Sequence, residues 1–128
     1  MTARVLDGAV VAVVGANGGL GSAIAAALGS RGAQVIGASR TSPDVAIDLR
    51  DPTSGDLLVA AALERHGRLD GVVNAAGIVA FGNLADTDDV VIEELFLTNV
   101  LGPLWLAKRV TPALADSGSA IQSRSKPG

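Results

Sequence analysis

The sequence predicts an α/β fold, a doubly wound parallel sheet of about five strands with helices on both faces. Three observations carry that expectation. Short apolar runs rich in β-branched residues alternate with segments of helical composition, the pattern of strand–helix–strand units. Sixteen glycines in 128 residues are too many for a helical bundle and point to tight turns or close backbone approach. Hydrophobic residues make up 48% of the chain and aromatics 2%, so a packed core is expected and must be built of Val, Leu, Ile and Ala.

Ala9, Val10, Val11, Ala12, Val13 and Val14 form a continuous apolar run, the habit of a strand buried on both faces of a parallel sheet. Residues 15–21, rich in glycine, read as a turn. Residues 22–30 read as a helix stopped by Arg31 and Gly32. Residues 33–38 form a second strand, and Val45, Ala46 and Ile47 a short third. Residues 57–66 form a second helix closed by Gly67, and residues 69–74 a fourth strand. Thr87 or Asp88 caps a long helix running through Leu114, kinked at Pro103, with Pro112 near its end. Ala120 and Ile121 begin a fifth strand, and residues 122–128 are a polar tail. No repeat or linker marks a second domain, so residues 1–121 are expected to form one.

Apolar residues from Val90 to Val110 cover nearly the whole circumference of the long helix. A sheet face covers only one side, so the other side is expected to meet more chain or a partner subunit, most simply in a homo-oligomer.

Composition excludes several functions. Ten basic against thirteen acidic residues give a net charge of -3, which argues against nucleic-acid or anionic-membrane binding. With no Cys and one His, disulfides, thiolate catalysis and multi-histidine or Cys-ligated metal sites are out, and no metal is expected. His66, beside Gly67 at a helix end, reads as a surface cap. The run from Ala9 to Val14 is far too short to span a bilayer, and the expected compartment is the cytoplasm.

The chemistry resides in Gly15, Gly19 and Gly21, between a buried strand and a helix. That spacing suits a pyrophosphate approaching backbone amides at a helix N-terminus, where a Cβ at Gly15 or Gly19 would obstruct it and Gly21 lets helix and sheet close up. A tight turn with no ligand is the other reading of the glycines, and their strand–turn–helix context favours the ligand. About twenty residues on, where a dinucleotide fold reads the adenosine ribose, stand Ser39 and Arg40 rather than a carboxylate. A hydroxyl and a guanidinium suit a 2′-phosphate, favouring NADP over NAD. A solvated surface arginine is the other reading.

These residues resemble the short-chain dehydrogenase/reductase family. Residues 14–21 look like its TGxxxGIG loop, with Val14 in the usual Thr place, and Leu6, Asp7 and Gly8 upstream are typical. Residues 69–77 resemble its LDxLVNNAG strand, with Ala75 for the second Asn. Thr98, Asn99, Val100, Gly102 and Pro112 resemble its long-helix pattern. The likeness runs over residues 5–121 and implies a Rossmann-type fold. It implies that Gly15, Asn17, Gly18, Gly19, Leu20 and Gly21 cradle the pyrophosphate and adjoining ribose. Ser39 and Arg40 would face the adenosine ribose or its phosphate, and Asp48 and Leu49 would flank the adenine. Asn74, Ala75, Ala76 and Gly77 would line the cofactor. Asn99 would be the catalytic Asn on a kinked helix that holds a relay water, or a buried Asn satisfying freed backbone carbonyls.

The resemblance also implies hydride transfer between a nicotinamide cofactor and a small carbonyl or alcohol, with a Tyr as general acid/base and a Lys four residues on. This chain has no Tyr, and the family's later strands and substrate loop are absent. The reading is therefore of a family chain cut short before its Tyr-x-x-x-Lys and inactive as it stands. The DNA beyond codon 121 is expected to encode the missing motif in another frame. The alternatives are a non-catalytic NADP(H)-binding module and a subunit completed by a partner chain.

Overall fold

The computed structural model describes residues 6–116. It contains β1 (Val10–Val14), α1 (Gly19–Ser30), β2 (Gln34–Ser39), β3 (Val45–Ala46), α2 (Ser54–His66) and β4 (Gly71–Asn74). A 3-10 turn (Leu84–Asp86), α3 (Asp89–Phe96), a π-helical turn (Leu97–Leu101) and α4 (Gly102–Asp116) follow. The strands form one parallel sheet in the order β3-β2-β1-β4. The doubly wound expectation holds, with four strands among the described residues. The fifth strand expected at Ala120 and Ile121, and the tail after it, lie outside them.

β1 is central and every residue in it is buried, which is why the sequence there alternates with nothing polar. Val10, Ala12 and Val14 join Ile36, Ala38, Leu58, Ala62, Leu106 and Val110 in the main core. Val11 and Val13 point to the opposite face, which α1 covers. Asp70 anchors the foot of the sheet: its amide donates to the Val10 carbonyl and its carboxylate accepts from the Val10 amide, both at 2.8 Å. Burial opposes its ionisation. Arg68 and the Val10 amide outweigh that, and its carboxyl titrates below the usual range.

The β2–β3 connection is the unusual part. Parallel neighbours normally need a crossover of about a dozen residues or more. Here residues 40–44 suffice, because β3 pairs only with the carboxyl end of β2, Val45 opposite Ala38 and Ala46 opposite Ser39. Side chains complete what so short a strand cannot. The Gly37 amide donates to Asp44 Oδ2 (2.8 Å), and Ser42 Oγ donates to the Gly37 carbonyl (3.2 Å). Arg65 of α2 pairs with Asp44 and holds the link down.

The long helix is interrupted, as Pro103 requires. Pro103 has no N–H for the carbonyl of Asn99 four residues back, and the π turn Leu97–Leu101 ends two residues before it. Gly102 lets the helix pass against the loop after β3, since a Cβ there would stand 2.8 Å from the Leu49 carbonyl oxygen. Gly55 plays the same part where α2 crosses α4, with Arg109 Cβ 2.7 Å from the position of its missing Cβ. Leu106 and Val110 are buried, whereas Val90, Phe96 and Leu104 are more than half exposed. α2 and the sheet thus cover one stripe of this helix and leave the other side exposed. Asp89–Leu114 is also long and apolar enough to cross a bilayer, with a mean hydropathy of 1.5, although Gly102, Leu106 and Val110 along it pack into the domain.

Candidate functional site

A cavity of about 330 Å³ opens at the carboxyl ends of β1, β2 and β4, where open α/β sheets place their ligands. Its floor is the turn after β1. Gly15 has φ +83°, and a Cβ there would lie 2.7 Å from the Ala76 nitrogen, so the backbone after β4 packs directly on this residue. Gly21 serves the turn as much as the sheet: its Cβ would fall 1.9 Å from the Gly15 carbonyl oxygen. Gly19 differs. A Cβ there meets nothing within 4 Å, so the fold itself does not demand glycine at that position.

The helix starts at Gly19, a turn earlier than its composition suggests, with Gly18 as N-cap and no side-chain cap. The amides of Gly19, Leu20 and Gly21 therefore have no intrahelical acceptor and present the positive end of the helix dipole. Gly19 and Leu20 are exposed and Gly21 is buried; these three form the first turn beside the cavity rather than its lining.

Gly15, Asn17, Gly18, Ser39, Arg40, Asp48, Leu49, Ala75, Ala76 and Gly77 all line the cavity. Asn17 Nδ2 donates to Thr41 Oγ1 (3.2 Å), tying the glycine turn to the β2–β3 link. The Thr41 amide donates to Ser39 Oγ (3.2 Å). The Arg40 side chain is exposed and makes no hydrogen bond or salt bridge among the described residues. Neither Ser39 nor Arg40, where β2 ends, carries a carboxylate.

Asp48 lies in a different setting. Arg50 Nη2 (2.7 Å) and Nε (3.1 Å) donate to its carboxylate, and Arg50 Nη1 donates to Glu94 Oε2 of α3 (2.8 Å). The Arg50 hydrogen bonds outweigh the burial that opposes them, and the Asp48 carboxyl is lowered to about 2. Arg50, Glu94, Thr41 and Ile78 line the cavity but were not among the residues singled out in the sequence, and Thr98, quoted there only as part of the long-helix pattern, lines it too. Glu94 and Thr98 are four apart, on one helix face just before Asn99, which is the signal that would have found them.

Asn74 is at the exposed end of β4, where its Oδ1 accepts from the Ala76 amide (3.1 Å) and shapes the strand end. Asn99 is not buried, and its side chain does not satisfy freed helix carbonyls. Its Oδ1 accepts from the Ile78 amide (2.9 Å) and its Nδ2 donates to the Ile78 carbonyl (2.8 Å). The π turn points this side chain across to the segment after β4, which it holds by both backbone groups. His66 is exposed at the end of α2 beside Gly67, whose φ of +73° closes the helix. No cluster of three or more metal-ligating side chains exists among the described residues.

A family model described as short chain dehydrogenase matches residues 9–128. The chain is 33% identical to versicolorin reductase stcU of Emericella nidulans over 94% of its own length and 52% of the relative's. Versicolorin reductase 1 of Aspergillus parasiticus is also 33% identical, over 94% of this chain and 53% of the relative. The chain thus spans about half the length of the curated relatives it matches. Among solved structures, NADH-dependent reductase A1-R′ complexed with NAD superposes with a TM-score of 0.80 at 27% identity, over 91% of this chain and 56% of that one. The ligand-free aldohexose dehydrogenase of Thermoplasma acidophilum shares the fold, with a TM-score of 0.83 at 24% identity over 91% of this chain and 48% of that one.

Proposed function

Because the chain belongs to the short chain dehydrogenase family, whose members are NAD(P)-binding oxidoreductases, we propose that its cavity holds NADP(H) and serves hydride transfer to or from a small carbonyl or alcohol. The observation that carries the reading is the pairing of two features at one cavity, the first beside it and the second in its lining. Uncapped helix amides stand over a turn closed by Gly15 and Gly21, and Arg40, which makes no hydrogen bond or salt bridge among the described residues, stands where NAD-binding folds place a carboxylate.

The residues fit the dinucleotide. Gly19 leaves the approach to the first turn of α1 open, so phosphate oxygens can reach the amides of Gly19 and Leu20, with Gly21 packed beneath them. Asn17, held by Thr41, borders the adjoining ribose. Ser39 and Arg40 supply the hydroxyl and guanidinium for a 2′-phosphate. Asp48 and Leu49 border the purine beyond them, next in line along the sheet from β2 to β3. Asn74, Ala75, Ala76 and Gly77 wall the other end, and Asn99 fixes that wall through Ile78. When bound, the dinucleotide supplies or accepts the hydride.

The accompanying proton needs a donor of suitable pKa. The family resemblance gives that task to a Tyr, and this sequence contains none. The 128-residue chain is therefore expected to bind the cofactor without turning over carbonyls. The exposed side of α3 and α4 favours, in addition, a homo-oligomer through that helix. Titration with NADPH, followed by its fluorescence, tests the cofactor reading. We expect saturable binding, tighter than for NADH, and a flat NADPH titration overturns it.

A further inference from the structure

Asn17 is the one asparagine of the four in the chain that a glycine follows. Asparagine is thermolabile, and a following glycine, with no side chain, leaves its amide nitrogen open to attack the asparagine. Asn17 lies exposed in the turn between β1 and α1, and Gly18 is exposed beside it. Two hydrogen bonds restrain the pair. Asn17 Nδ2 donates to Thr41 Oγ1 (3.2 Å), and the Gly18 amide donates to the Gly15 carbonyl (3.0 Å). Neutral bonds in an exposed turn open locally without unfolding the domain. The other asparagines differ. The side chains of Asn74 and Asn99 are engaged by the backbone of Ala76 and Ile78, and Asn83 precedes Leu84, whose side chain crowds the nitrogen.

We propose that Asn17 is a site of spontaneous deamidation, and that the carboxylate it becomes shuts the anion site at the first turn of α1. In the step, hydroxide takes the Gly18 amide proton and that nitrogen attacks Asn17 Cγ. The bond from Cγ to Nδ2 breaks and ammonia leaves, closing a cyclic succinimide. Water opens the ring at either carbonyl and gives aspartate or isoaspartate, with nothing oxidised or reduced. The new charge sits in the turn that leads into the uncapped amides of Gly19 and Leu20. There it takes the favourable field of the helix dipole that a phosphate would use, and it repels the phosphate itself. This second part rests on the cofactor reading above; the conversion itself does not. A dinucleotide seated on the turn holds Gly18 in place, so the coenzyme-bound chain converts more slowly.

The test warms the full chain in mildly alkaline buffer and maps its peptides by mass over time, with an isoaspartyl methyltransferase to report isoaspartate. Replacement of NH2 by OH is expected at Asn17, well ahead of Asn74, Asn83 and Asn99. Gly18→Ala should slow it about tenfold or more. The fold accepts that variant, since its φ of −79° suits any residue and a Cβ would meet only the Gly15 carbonyl oxygen, at 3.4 Å. Thr41→Val, which frees Nδ2, should speed conversion about threefold. Faster conversion at another asparagine, or a rate that Gly18→Ala leaves unchanged, overturns the assignment. Asn17→Asp supplies the product directly. It should weaken NADPH binding about tenfold while the urea midpoint stays at or above native, because a carboxylate suits a helix N-terminus; a merely damaged turn would lose both. Native-strength NADPH binding by Asn17→Asp overturns the closure of the anion site. Saturating NADPH should slow conversion, and an unchanged rate in a chain that binds NADPH overturns the protection. A native chain that binds no NADPH overturns the cofactor reading and the second part with it, while the peptide map still decides the deamidation.

Discussion

Replacing Gly21 with alanine puts a methyl carbon 1.9 Å from the carbonyl oxygen of Gly15 and 2.7 Å from its carbonyl carbon. Both neighbours are backbone, so no side chain can rotate away. Ordinary contact requires the start of α1 to withdraw by roughly 1.5 Å, in an interior that yields little. Overpacking of this kind costs about 1–3 kcal/mol, and the higher figure applies where two backbone segments must separate. Better helix propensity returns up to about 1 kcal/mol. A net loss of about 2 kcal/mol is expected, which lowers the urea midpoint by roughly 1 M. Gly19→Ala, two residues earlier, is the control. Its methyl enters open space, so stability should stay within about 1 kcal/mol of native. It should nevertheless weaken NADPH binding about tenfold or more, the worth of one charge-assisted hydrogen bond at the helix amides. Urea unfolding and NADPH titration of both variants decide the matter. Equal destabilisation by the two, or native stability for Gly21→Ala, would refute the packing argument.

Arg40→Ala should weaken NADPH binding by roughly 10- to 100-fold and leave NADH nearly unaffected, because only the former carries the 2′-phosphate; equal losses for both would remove Arg40 from that role. Asp48 is held at about 2 against an ordinary 3.8, so its contribution to stability is complete above that range and vanishes as pH falls through about 2. Discounted for its partial exposure, that contribution is about 1 kcal/mol, and the stability gap between the native chain and Arg50→Met should narrow by this amount between neutral pH and pH 2. Acid titration of unfolding free energies measures it, and a constant gap argues against the ion pair. Sedimentation of the native chain should show an assembly that Phe96→Glu or Leu104→Glu disperses, since both residues are more than half exposed on the long helix; a monomeric native chain contradicts it.

Local signals carried far in this chain. The unbroken apolar run at Val10–Val14 announced a central strand, and Pro103 announced the interruption of the long helix. The ten cavity-lining residues named from motif positions converge because the carboxyl ends of parallel strands meet on one rim. What stayed hidden depends on distance along the chain or on competition between rules. Glycine is a poor helix former, so composition placed the start of α1 after Gly21, yet the backbone is already helical at Gly19. Pro103 locates a break but does not specify that it takes π form. No short-range pattern links Arg50 to Glu94, or Asn99 to Ile78, because neither pair lies within one element. The two-residue β3 is stabilised by the Ser42 hydroxyl standing in for a strand amide and the Asp44 carboxylate for a strand carbonyl, a substitution that strand propensity does not register.

The brevity of residues 40–44 has a consequence for how this molecule could be altered. Ala38 and Val45, on either side, are locked into the interior, whereas Arg40, Thr41, Pro43 and Asp44 are at the surface. Lengthening a surface loop is entropically mild, about 0.6 kcal/mol for each doubling. On the proposed reading, coenzyme choice occupies Arg40, a surface position that can be rewritten, or have a helix grown beside it, while Ser42 and Asp44 keep β3 in place.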